Sequence, residues 1–466
     1  MRMAILGSKS GLVVLLLCCV GVAVALPFPQ EEQELSKRSG LEVVAKLSHG
    51  VLLQKPVTGL CDDVKQYAGY YNVTTATKNY FYWFFESRSK PSKDPVILWM
   101  TGGPGCSSGI ALFDEMGPCK VQADLETEKN PFSWNKNASM IFIDQPAGTG
   151  FSFGMDSDYD SNEAEVSRDM YNFLQAFFSA HKSFQKNDFY LFGESYGGHY
   201  VPATSYAVFK GNKQAKGLHI NLKGVGVGNG LTAPEIQYKW YAEMAYKNKV
   251  KPLVNWLAYE GMKAAASICV NNILKCQANE SACEKAFAMC GLSQVTPVQM
   301  TGINLYDIRI PCEHPPLCYD FSKTEKFLRL PRVTNELGTT GHPWSSCNMK
   351  VNAAFHSDWM HHFQVGFPEM LEAGIRVLIY AGDLDYICNY MGNKAWTMEM
   401  GWPGKEEFND AGDNKWVVGG KEAGLARTAQ GLTFLQVYEA GHMVPLDQPE
   451  NALSMVNSFI HNQPFY

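Results

Sequence analysis

Ser195 is the central residue of a Gly-x-Ser-x-Gly motif, residues 193–197, in which a serine hydroxyl could act as a nucleophile. The apolar run 189–192 comes directly before the motif and predicts a short buried strand, and an amphipathic segment follows it. A strand, a tight turn and a helix in this order form a nucleophile elbow, which exposes the serine hydroxyl. The motif therefore predicts acyl-transfer chemistry, and the flanking elements carry the prediction because the bare pattern is a weak signal.

A serine nucleophile needs a base that takes its proton and a carboxylate that orients this base. In a fold with this elbow the chain order is serine, then Asp or Glu, then His, and each partner lies on a loop after a strand. His442 follows the last apolar run, 432–438, and is the predicted base. Asp383 and Asp385 both follow the apolar run 376–381, so their positions leave both open as the acid.

Two other residues resemble catalytic groups, and we interpret both as structural. Ser107 lies in a second Gly-x-Ser-x-Gly, residues 105–109, but four loop residues separate that motif from the strand before it. An elbow needs its strand directly before the turn. His199 falls inside the helix predicted after the elbow, where we expect a packed core residue.

A Gly-Gly pair upstream of the elbow, Gly102-Gly103, lies where such a fold places an oxyanion donor. We predict that the N–H groups of Gly103 and of Tyr196, the residue after the nucleophile, hold the oxyanion of the tetrahedral intermediate. The simpler alternative is that residues 102–105 form only a tight turn.

Alternating strands and helices must position these residues. Runs 67–73 and 78–86 alternate aromatic and polar residues and predict a hairpin at a sheet edge. A helix with one apolar face is predicted over 162–181, with Asn162 and Glu165 able to cap it. Short buried strands are predicted at 95–100, 138–144, 189–192, 224–228, 376–381 and 432–438. We therefore predict an α/β-hydrolase fold, a mostly parallel central sheet with helices on both faces.

The pattern of strands and helices breaks between about residues 231 and 359. This region has few clear strands and contains Cys269, Cys276, Cys283, Cys290, Cys312, Cys318 and Cys347. The regular spacing of the first four could indicate a metal cluster, but zinc-binding cysteines usually stand two to four residues apart and these are wider. We predict an inserted cap, stapled by disulfides, over the carboxyl edge of the sheet.

The first 38 residues have the composition of processing segments. Residues 1–25 combine a basic start, an apolar stretch and a small-residue cleavage site, as a secretory signal peptide does, and the stretch is too short for a membrane anchor. Residues 26–38 end in Lys37-Arg38 and are either a propeptide removed at this dibasic pair or a solvated leader. The folded domain is predicted over 39–466.

The remaining composition also favours the secretory route. Asn72, Asn137 and Asn279 each begin a glycosylation sequon. Thirteen cysteines, less the two in the signal segment, leave eleven, which should pair and leave one thiol. The net charge of −6 is spread along the chain and argues against nucleic acid as a partner. No later stretch is apolar enough for a membrane anchor, and no metal or organic cofactor is indicated.

Taken together, the motifs closely resemble those of the serine carboxypeptidases. The likeness extends from about Gln66 to the C-terminus and is carried by residues 99–108, 144–152, 193–202, 228–230, 380–389, 441–445 and 449–457. The resemblance implies release of C-terminal amino acids from peptides and proteins through an acyl-enzyme, without a cofactor. It also implies that Asp385, rather than Asp383, is the acid of the triad.

The resemblance further implies the pairing of most cysteines. The implied pairs are Cys106 with Cys347, Cys312 with Cys318, Cys269 with Cys290, and Cys276 with Cys283. Cys388 is then a free thiol beside the site. Cys61 and Cys119 remain, and we expect by elimination that they pair with each other.

An exopeptidase must bind the free C-terminal carboxylate of its substrate. By resemblance, Glu194 and Glu115 share a proton, and one of them donates a hydrogen bond to that carboxylate. We expect acid-favoured activity because this proton is lost toward neutral pH. Where the family usually has Asn before the Gly-Gly pair, this chain has Thr101, whose shorter side chain still offers one hydroxyl.

The resemblance also implies which residues contact the substrate around the scissile bond. These are Gly102, Cys388 and Met443, the last on the primed side, with Tyr196, Ile387 and Trp359 on the acyl side. An esterase or acyltransferase on the same scaffold is the alternative function, and Thr101 leaves it open. A non-catalytic binding protein is a third interpretation, against which the intact triad argues. The choice between a vacuolar or lysosomal and an extracellular location, and the oligomeric state, stay open.

Overall fold

The computed structural model describes residues 51–465, so the predicted signal peptide, 1–25, and propeptide, 26–38, lie outside the described residues. Thirteen strands form one large sheet and one small ribbon. They are β1 (Val51–Val57), β2 (Gln66–Asn72), β3 (Asn79–Phe85), β4 (Val96–Met100), β5 (Cys119–Val121), β6 (Thr127–Lys129), β7 (Ser139–Ile143), β8 (Phe189–Glu194), β9 (Leu222–Gly228), β10 (Arg376–Gly382), β11 (Asn414–Val418), β12 (Lys421–Ala429) and β13 (Leu432–Val437).

The large sheet has eleven strands in the order β1-β2-β3-β7-β4-β8-β9-β10-β13-β12-β11, and β5 pairs with β6 in the ribbon. Six neighbouring strands at the centre of this order run parallel, namely β7, β4, β8, β9, β10 and β13. Antiparallel strands extend the sheet on both sides. The parallel strands are buried on both faces, which explains why they appear in the sequence as continuous apolar runs. The predicted α/β-hydrolase architecture is confirmed.

The predicted hairpin consists of β2 and β3, which pair antiparallel from Gln66 opposite Phe85 to Asn72 opposite Asn79. Its predicted position at the sheet edge is wrong, because β1 pairs with the outer side of β2. β1 and the antiparallel pair of β11 and β12 at the other edge are absent from the predicted strands.

Sixteen α-helices connect and cover the strands in the described part of the chain. They are α1 (Gly109–Asp114), α2 (Glu163–Ala180), α3 (Gly197–Lys213), α4 (Pro234–Gln237), α5 (Tyr241–Lys247), α6 (Trp256–Ala278), α7 (Cys283–Cys290), α8 (Thr296–Gln299), α9 (Ser322–Leu328), α10 (Pro331–Leu337), α11 (Met349–Ala354), α12 (Phe367–Glu372), α13 (Tyr390–Glu399), α14 (Lys405–Asp410), α15 (Val444–Asp447) and α16 (Pro449–Ile460). As predicted, Asn162 caps α2, because its side-chain oxygen accepts the N–H of Glu165 at 3.1 Å.

Two hydrophobic cores lie on the two faces of the sheet. Alternate residues of β4 show the division: Ile97 and Trp99 belong to the core that includes α1 and α16, and Val96, Leu98 and Met100 belong to the core that includes α2 and α3. Because side chains of a strand alternate between faces, one strand anchors helices on both sides of the sheet. The helices thus cover both faces.

Between β9 and β10 the described chain forms helices α4–α12 and adds no strand to the sheet. A third core lies here, built around α6 and α7 and the disulfide Cys269–Cys290. Leu384 and Tyr386, which flank Asp385, belong to the same core. The inserted region is therefore packed directly against one of the candidate catalytic loops.

Five disulfides are present, and they are the five pairs named from the sequence: Cys61–Cys119, Cys106–Cys347, Cys269–Cys290, Cys276–Cys283 and Cys312–Cys318. Cys388 is the free cysteine of the described residues and is buried. Within residues 51–465, no helix combines the length and the apolar character needed to cross a bilayer.

Candidate active site

The elbow at Ser195 has the local structure that its sequence predicts. Ser195 links β8 to α3 and has a φ of 64°, a left-handed conformation that costs free energy for a residue with a β-carbon. Every residue from 189 to 202 is buried except Ser195. The backbone strain therefore brings one hydroxyl to the surface of an otherwise closed segment, at the N-terminal end of α3.

His442 and Asp385 meet at the carboxyl edge of the sheet, on the loops that follow β13 and β10. His442 Nδ1 lies 2.9 Å from Asp385 Oδ2, and both side chains are almost completely buried. A carboxylate beside Nδ1 fixes the tautomer that leaves Nε2 free as a base. This pair, with the partly exposed Ser195, has the composition of a catalytic triad.

Asn229 holds the carboxylate of this pair in place, a role that the sequence analysis did not assign. Its Nδ2 donates to Asp385 Oδ2 at 2.9 Å, and its Oδ1 accepts the N–H of Gly382 at 3.0 Å. The backbone N–H groups of Ile387 and Cys388 also donate to Asp385, at 3.1 and 3.2 Å. The available signal was the Gly-Asn-Gly sequence 228–230 directly after β9, on the same edge of the sheet.

The structure separates Asp383 from the candidate triad. Its carboxylate accepts hydrogen bonds from Lys249 Nζ at 2.9 Å and from the N–H of Glu439 at 3.0 Å. Asp383 thus links the inserted region to the loop that carries His442. Of the two aspartates that position alone left open, Asp385 is the one that contacts the histidine.

Ser107 and His199 are both engaged in structural contacts. The Ser107 hydroxyl is buried, donates to Asp144 Oδ1 at 2.5 Å and accepts the indole N–H of Trp344 at 2.8 Å. The His199 ring nitrogens lie 2.6 Å from the carbonyl of Leu231 and 3.2 Å from that of Trp359. Burial lowers the pKa of His199 to about 3, which keeps the ring neutral.

Gly102 lies against the elbow, as a residue of an oxyanion loop must. A β-carbon on Gly102 would lie 2.3 Å from the Tyr196 nitrogen and 2.8 Å from the Ser195 β-carbon, so only glycine fits. Within residues 51–465, the N–H groups of Gly103 and Tyr196 have no protein acceptor. Two unpaired donors next to a nucleophile are available to an oxyanion.

The Tyr196 side chain is fixed by a buried carboxylate. Its hydroxyl donates to Asp358 Oδ2 at 2.9 Å, and Asp358 Oδ1 accepts the N–H of Glu163 at 3.3 Å. The Tyr196 ring packs on Trp359, with 5.1 Å between ring centroids. Burial raises the pKa of Asp358 to about 6, although the hydrogen bond from Tyr196 opposes the shift. Tyr196, a predicted oxyanion donor, is thus held both by its hydroxyl and by its ring.

Glu115 and Glu194 form a buried carboxyl pair beside the elbow. Both side chains are almost fully buried, and no group among the described residues donates to either Glu115 oxygen or to Glu194 Oε2. Burial raises the pKa of both, and the Glu115 charge raises that of Glu194 further. Because ionising both would leave two unpaired buried charges, the raised pKa values favour a protonated form of the pair.

The remaining predicted site residues lie around this centre. The Thr101 hydroxyl accepts the indole N–H of Trp99 at 2.9 Å, which leaves its own O–H free to donate. Met443 and Cys388 are largely buried, and Ile387 and Trp359 are partly exposed. Burial raises the pKa of the Cys388 thiol well above its usual value, so it remains protonated.

Two groups of potential metal ligands occur among residues 51–465, and neither suits a metal. One contains Cys276, Cys283 and His361, but the two cysteines are joined as a disulfide. The other contains Asp385, Cys388 and His442. Here the carboxylate and the imidazole are hydrogen-bonded to each other, and the thiol is protonated. Both groups are better explained without an ion.

Comparison with known proteins shows a consistent likeness. Residues 56–462 match the serine carboxypeptidase family. A serine carboxypeptidase-like protein of Oryza sativa subsp. japonica is 45% identical over 400 residues, which cover 85% of this chain and 92% of that protein. Carboxypeptidase Y of Candida albicans is 43% identical over 405 residues, 86% of this chain and 74% of that protein.

The structure is also similar to a solved one. The crystal structure of Kex1(delta)p, a prohormone-processing carboxypeptidase from Saccharomyces cerevisiae, aligns with a TM-score of 0.78 and 25% identity. The alignment covers 89% of this chain and 95% of that protein.

Proposed function

We propose that this chain, which belongs to the serine carboxypeptidase family and is a serine-type carboxypeptidase, uses Ser195 as nucleophile, His442 as base and Asp385 as the orienting acid. The observation that carries the assignment is the buried contact of 2.9 Å between His442 Nδ1 and Asp385 Oδ2, on the sheet edge where Ser195 is partly exposed. Family membership supports peptides as substrates.

In this mechanism His442 Nε2 takes the proton of the Ser195 hydroxyl as its oxygen attacks the scissile carbonyl. The N–H groups of Gly103 and Tyr196 stabilise the oxyanion. The protonated imidazole then gives its proton to the leaving amine, which departs as the released amino acid. In the second half of the reaction His442 Nε2 takes a proton from water as its oxygen attacks the acyl-enzyme carbonyl, and the imidazolium then returns that proton to the Ser195 oxygen as the shortened peptide leaves with a new carboxylate.

Selection for a free C-terminus is assigned to Glu194, Glu115 and Thr101. At acid pH the carboxyl pair is protonated and donates to the carboxylate of the substrate, with the Thr101 hydroxyl as a second donor. Gly102 brings the backbone close to this point, and Met443 and Cys388 line the site. At higher pH the pair carries negative charge and repels the substrate, so the activity is acid-favoured.

The family and the five disulfides favour the secretory pathway. We extend this to removal of residues 1–25, processing after Lys37-Arg38 and a single domain over 39–466 whose cap spans about 231–359. The side chains of Asn72 and Asn137 are engaged, since Asn72 donates to Ala76 and Asn79, and Asn137 to Asn457. Asn279 is exposed and is therefore the sequon that we expect to be glycosylated most completely.

The test is the release of amino acids from an N-blocked dipeptide at mildly acid pH by wild type and by Ser195→Ala. Release that disappears in the variant supports the assignment. If the wild type is folded and reacts with a fluorophosphonate but releases no amino acid, ester or acyl-transfer chemistry replaces the peptidase proposal. Release that persists in Ser195→Ala refutes the role of Ser195.

A further inference from the structure

A segment of the inserted region, Leu305–Arg309, contacts both loops that carry the candidate base and acid. The carbonyl of Tyr306 accepts the N–H of His442 at 2.8 Å, and the carbonyl of Leu305 accepts those of Tyr386 and Ile387 at 3.0 and 3.1 Å. The Tyr306 ring also packs edge-on against the His442 imidazole, with 5.0 Å between centroids. We call this segment the clasp.

The Arg309 side chain extends the clasp to Glu439 and Asp447, on either side of His442 in the sequence. Arg309 Nε and Nη2 bind the two oxygens of Asp307 at 2.9 and 2.7 Å, which fixes the plane of the guanidinium. Nη1 then donates to the carbonyl of Glu439 at 3.2 Å, and Nη2 to Asp447 Oδ2, also at 3.2 Å. Asp447 Oδ2 in turn accepts the N–H of Gly441 at 2.6 Å.

These contacts enclose the residues directly before His442. The Glu439 carbonyl and the His442 N–H are hydrogen-bonded directly to the clasp. The Gly441 N–H is hydrogen-bonded to Asp447, which in turn binds Arg309 of the clasp. Gly441 fits only because it has no side chain, since a β-carbon there would lie 2.5 Å from the Tyr306 carbonyl. Together with the contacts from Asp385 and Asp383, a part of the chain inserted between β9 and β10 thus helps to position the imidazole.

We propose that Arg309 is a positioning residue for His442. Arg309 holds the loop that carries His442 at the distance from Ser195 that proton transfer requires. The proposal rests on the proposed function, because it assumes that His442 is the base. Arg309 touches no reacting atom and acts through Glu439 and Asp447.

The expected effect is kinetic rather than structural. The Arg309 side chain is 34% exposed, so water can partly replace the guanidinium when it is removed, although its partners Asp307 and Asp447 are only 8% and 19% exposed. A displacement of about 1 Å in a catalytic group, in contrast, can reduce the rate about 100-fold. Loss of the guanidinium should therefore reduce turnover far more than it reduces stability.

The experiment compares wild type with Arg309→Ala and Arg309→Lys, with Arg332→Ala as the matched control. Arg332 binds one carboxylate and one carbonyl, those of Glu126 and Leu125, and lies on α10 rather than in the clasp. Release of an amino acid from a blocked dipeptide gives kcat and KM, and titration with a fluorophosphonate gives the concentration of reactive sites. Rescue of Arg309→Ala by guanidinium chloride, against equal sodium chloride, tests whether the missing group is the cause.

We expect kcat per reactive site to fall about 10- to 100-fold in Arg309→Ala, with KM within about twofold and a partial return on addition of guanidinium. Arg309→Lys keeps the charge but loses the planar fork, and should be intermediate. If Arg309→Ala does not fold, a kcat for Arg309→Lys equal to that of wild type overturns the proposal. An unchanged kcat in a folded Arg309→Ala does the same. Activity that survives Ser195→Ala would instead refute the proposed function.

Discussion

A change from about pH 5 to about pH 9, across the pKa of about 8 for Glu115, should weaken the binding of peptides that end in a free carboxylate. The pKa values of Glu115 and Glu194 are both raised by burial, so the pair keeps its proton in acid, where an exposed glutamic acid is already ionised. The neutral member can then donate to the substrate. As the pH rises through the raised pKa values, this donor is lost and a negative charge faces the carboxylate.

The magnitude follows from the bond that is lost. A hydrogen bond to a charged group contributes ~1.5–3 kcal/mol. Since about 1.4 kcal/mol corresponds to a factor of ten, KM should rise about 10- to 150-fold across the interval. Glu194→Gln replaces the carboxyl by an amide that donates at every pH, so the KM of this variant should vary much less.

The assay measures KM between these two pH values for a blocked dipeptide and for the same peptide with an amidated C-terminus. The amide has no carboxylate to bind or repel, and its KM should stay nearly constant. A constant KM for the free peptide would refute the role of the carboxyl pair. An equal rise for the amidated peptide would show that another group titrates.

Three substitutions test other parts of the site. Gly102→Ala should abolish hydrolysis, because the new β-carbon would lie 2.3 Å from the Tyr196 nitrogen. The control is Gly261→Ala, whose β-carbon would have no atom within 4 Å. This control should retain full kcat/KM, and its free energy of unfolding in urea should rise by ~0.5–1 kcal/mol. Asn229→Ala removes a bond of 2.9 Å to the triad carboxylate and should lower kcat about tenfold at constant KM, and an unchanged kcat would contradict its role. Tyr196→Phe should lower the free energy of unfolding by ~1–3 kcal/mol at neutral pH. The loss should be smaller at about pH 5, because Asp358, with a pKa of about 6, is protonated there. Equal losses at both pH values in urea unfolding would contradict this reasoning.

The parts of the fold that could be predicted are those whose signal is local. The parallel strands are buried on both faces and therefore appear as apolar runs, and the elbow is defined by five consecutive residues. The strands β11 and β12 could not be predicted in this way. The first is mostly exposed and the second is rich in alanine, glycine and charge, so their strand conformation comes from pairing, of β12 with β13 and of β11 with β12, rather than from their own residues.

The site shows the same division between local and distant signals. Ser195 and His442 follow from motifs next to strands. Asp383 and Asp385 stand two residues apart after one strand, and only the fold shows which of them contacts the histidine. Arg309 lies 133 residues before His442 in the sequence, in a region with no strand pattern, and nothing in its own neighbourhood indicates where its guanidinium lies.

The disulfide Cys106–Cys347 bears on when an active enzyme can first exist during biosynthesis. It joins the segment next to the oxyanion loop to a residue 241 positions later, beyond most of the inserted region. At a synthesis rate of about 5–20 residues per second, the partner of Cys106 is made about 10–50 s after it. Throughout that interval the oxyanion loop lacks its covalent tie, while His442 has not yet been made. The newly made chain therefore has no complete hydrolytic centre with which to attack proteins that are folding beside it.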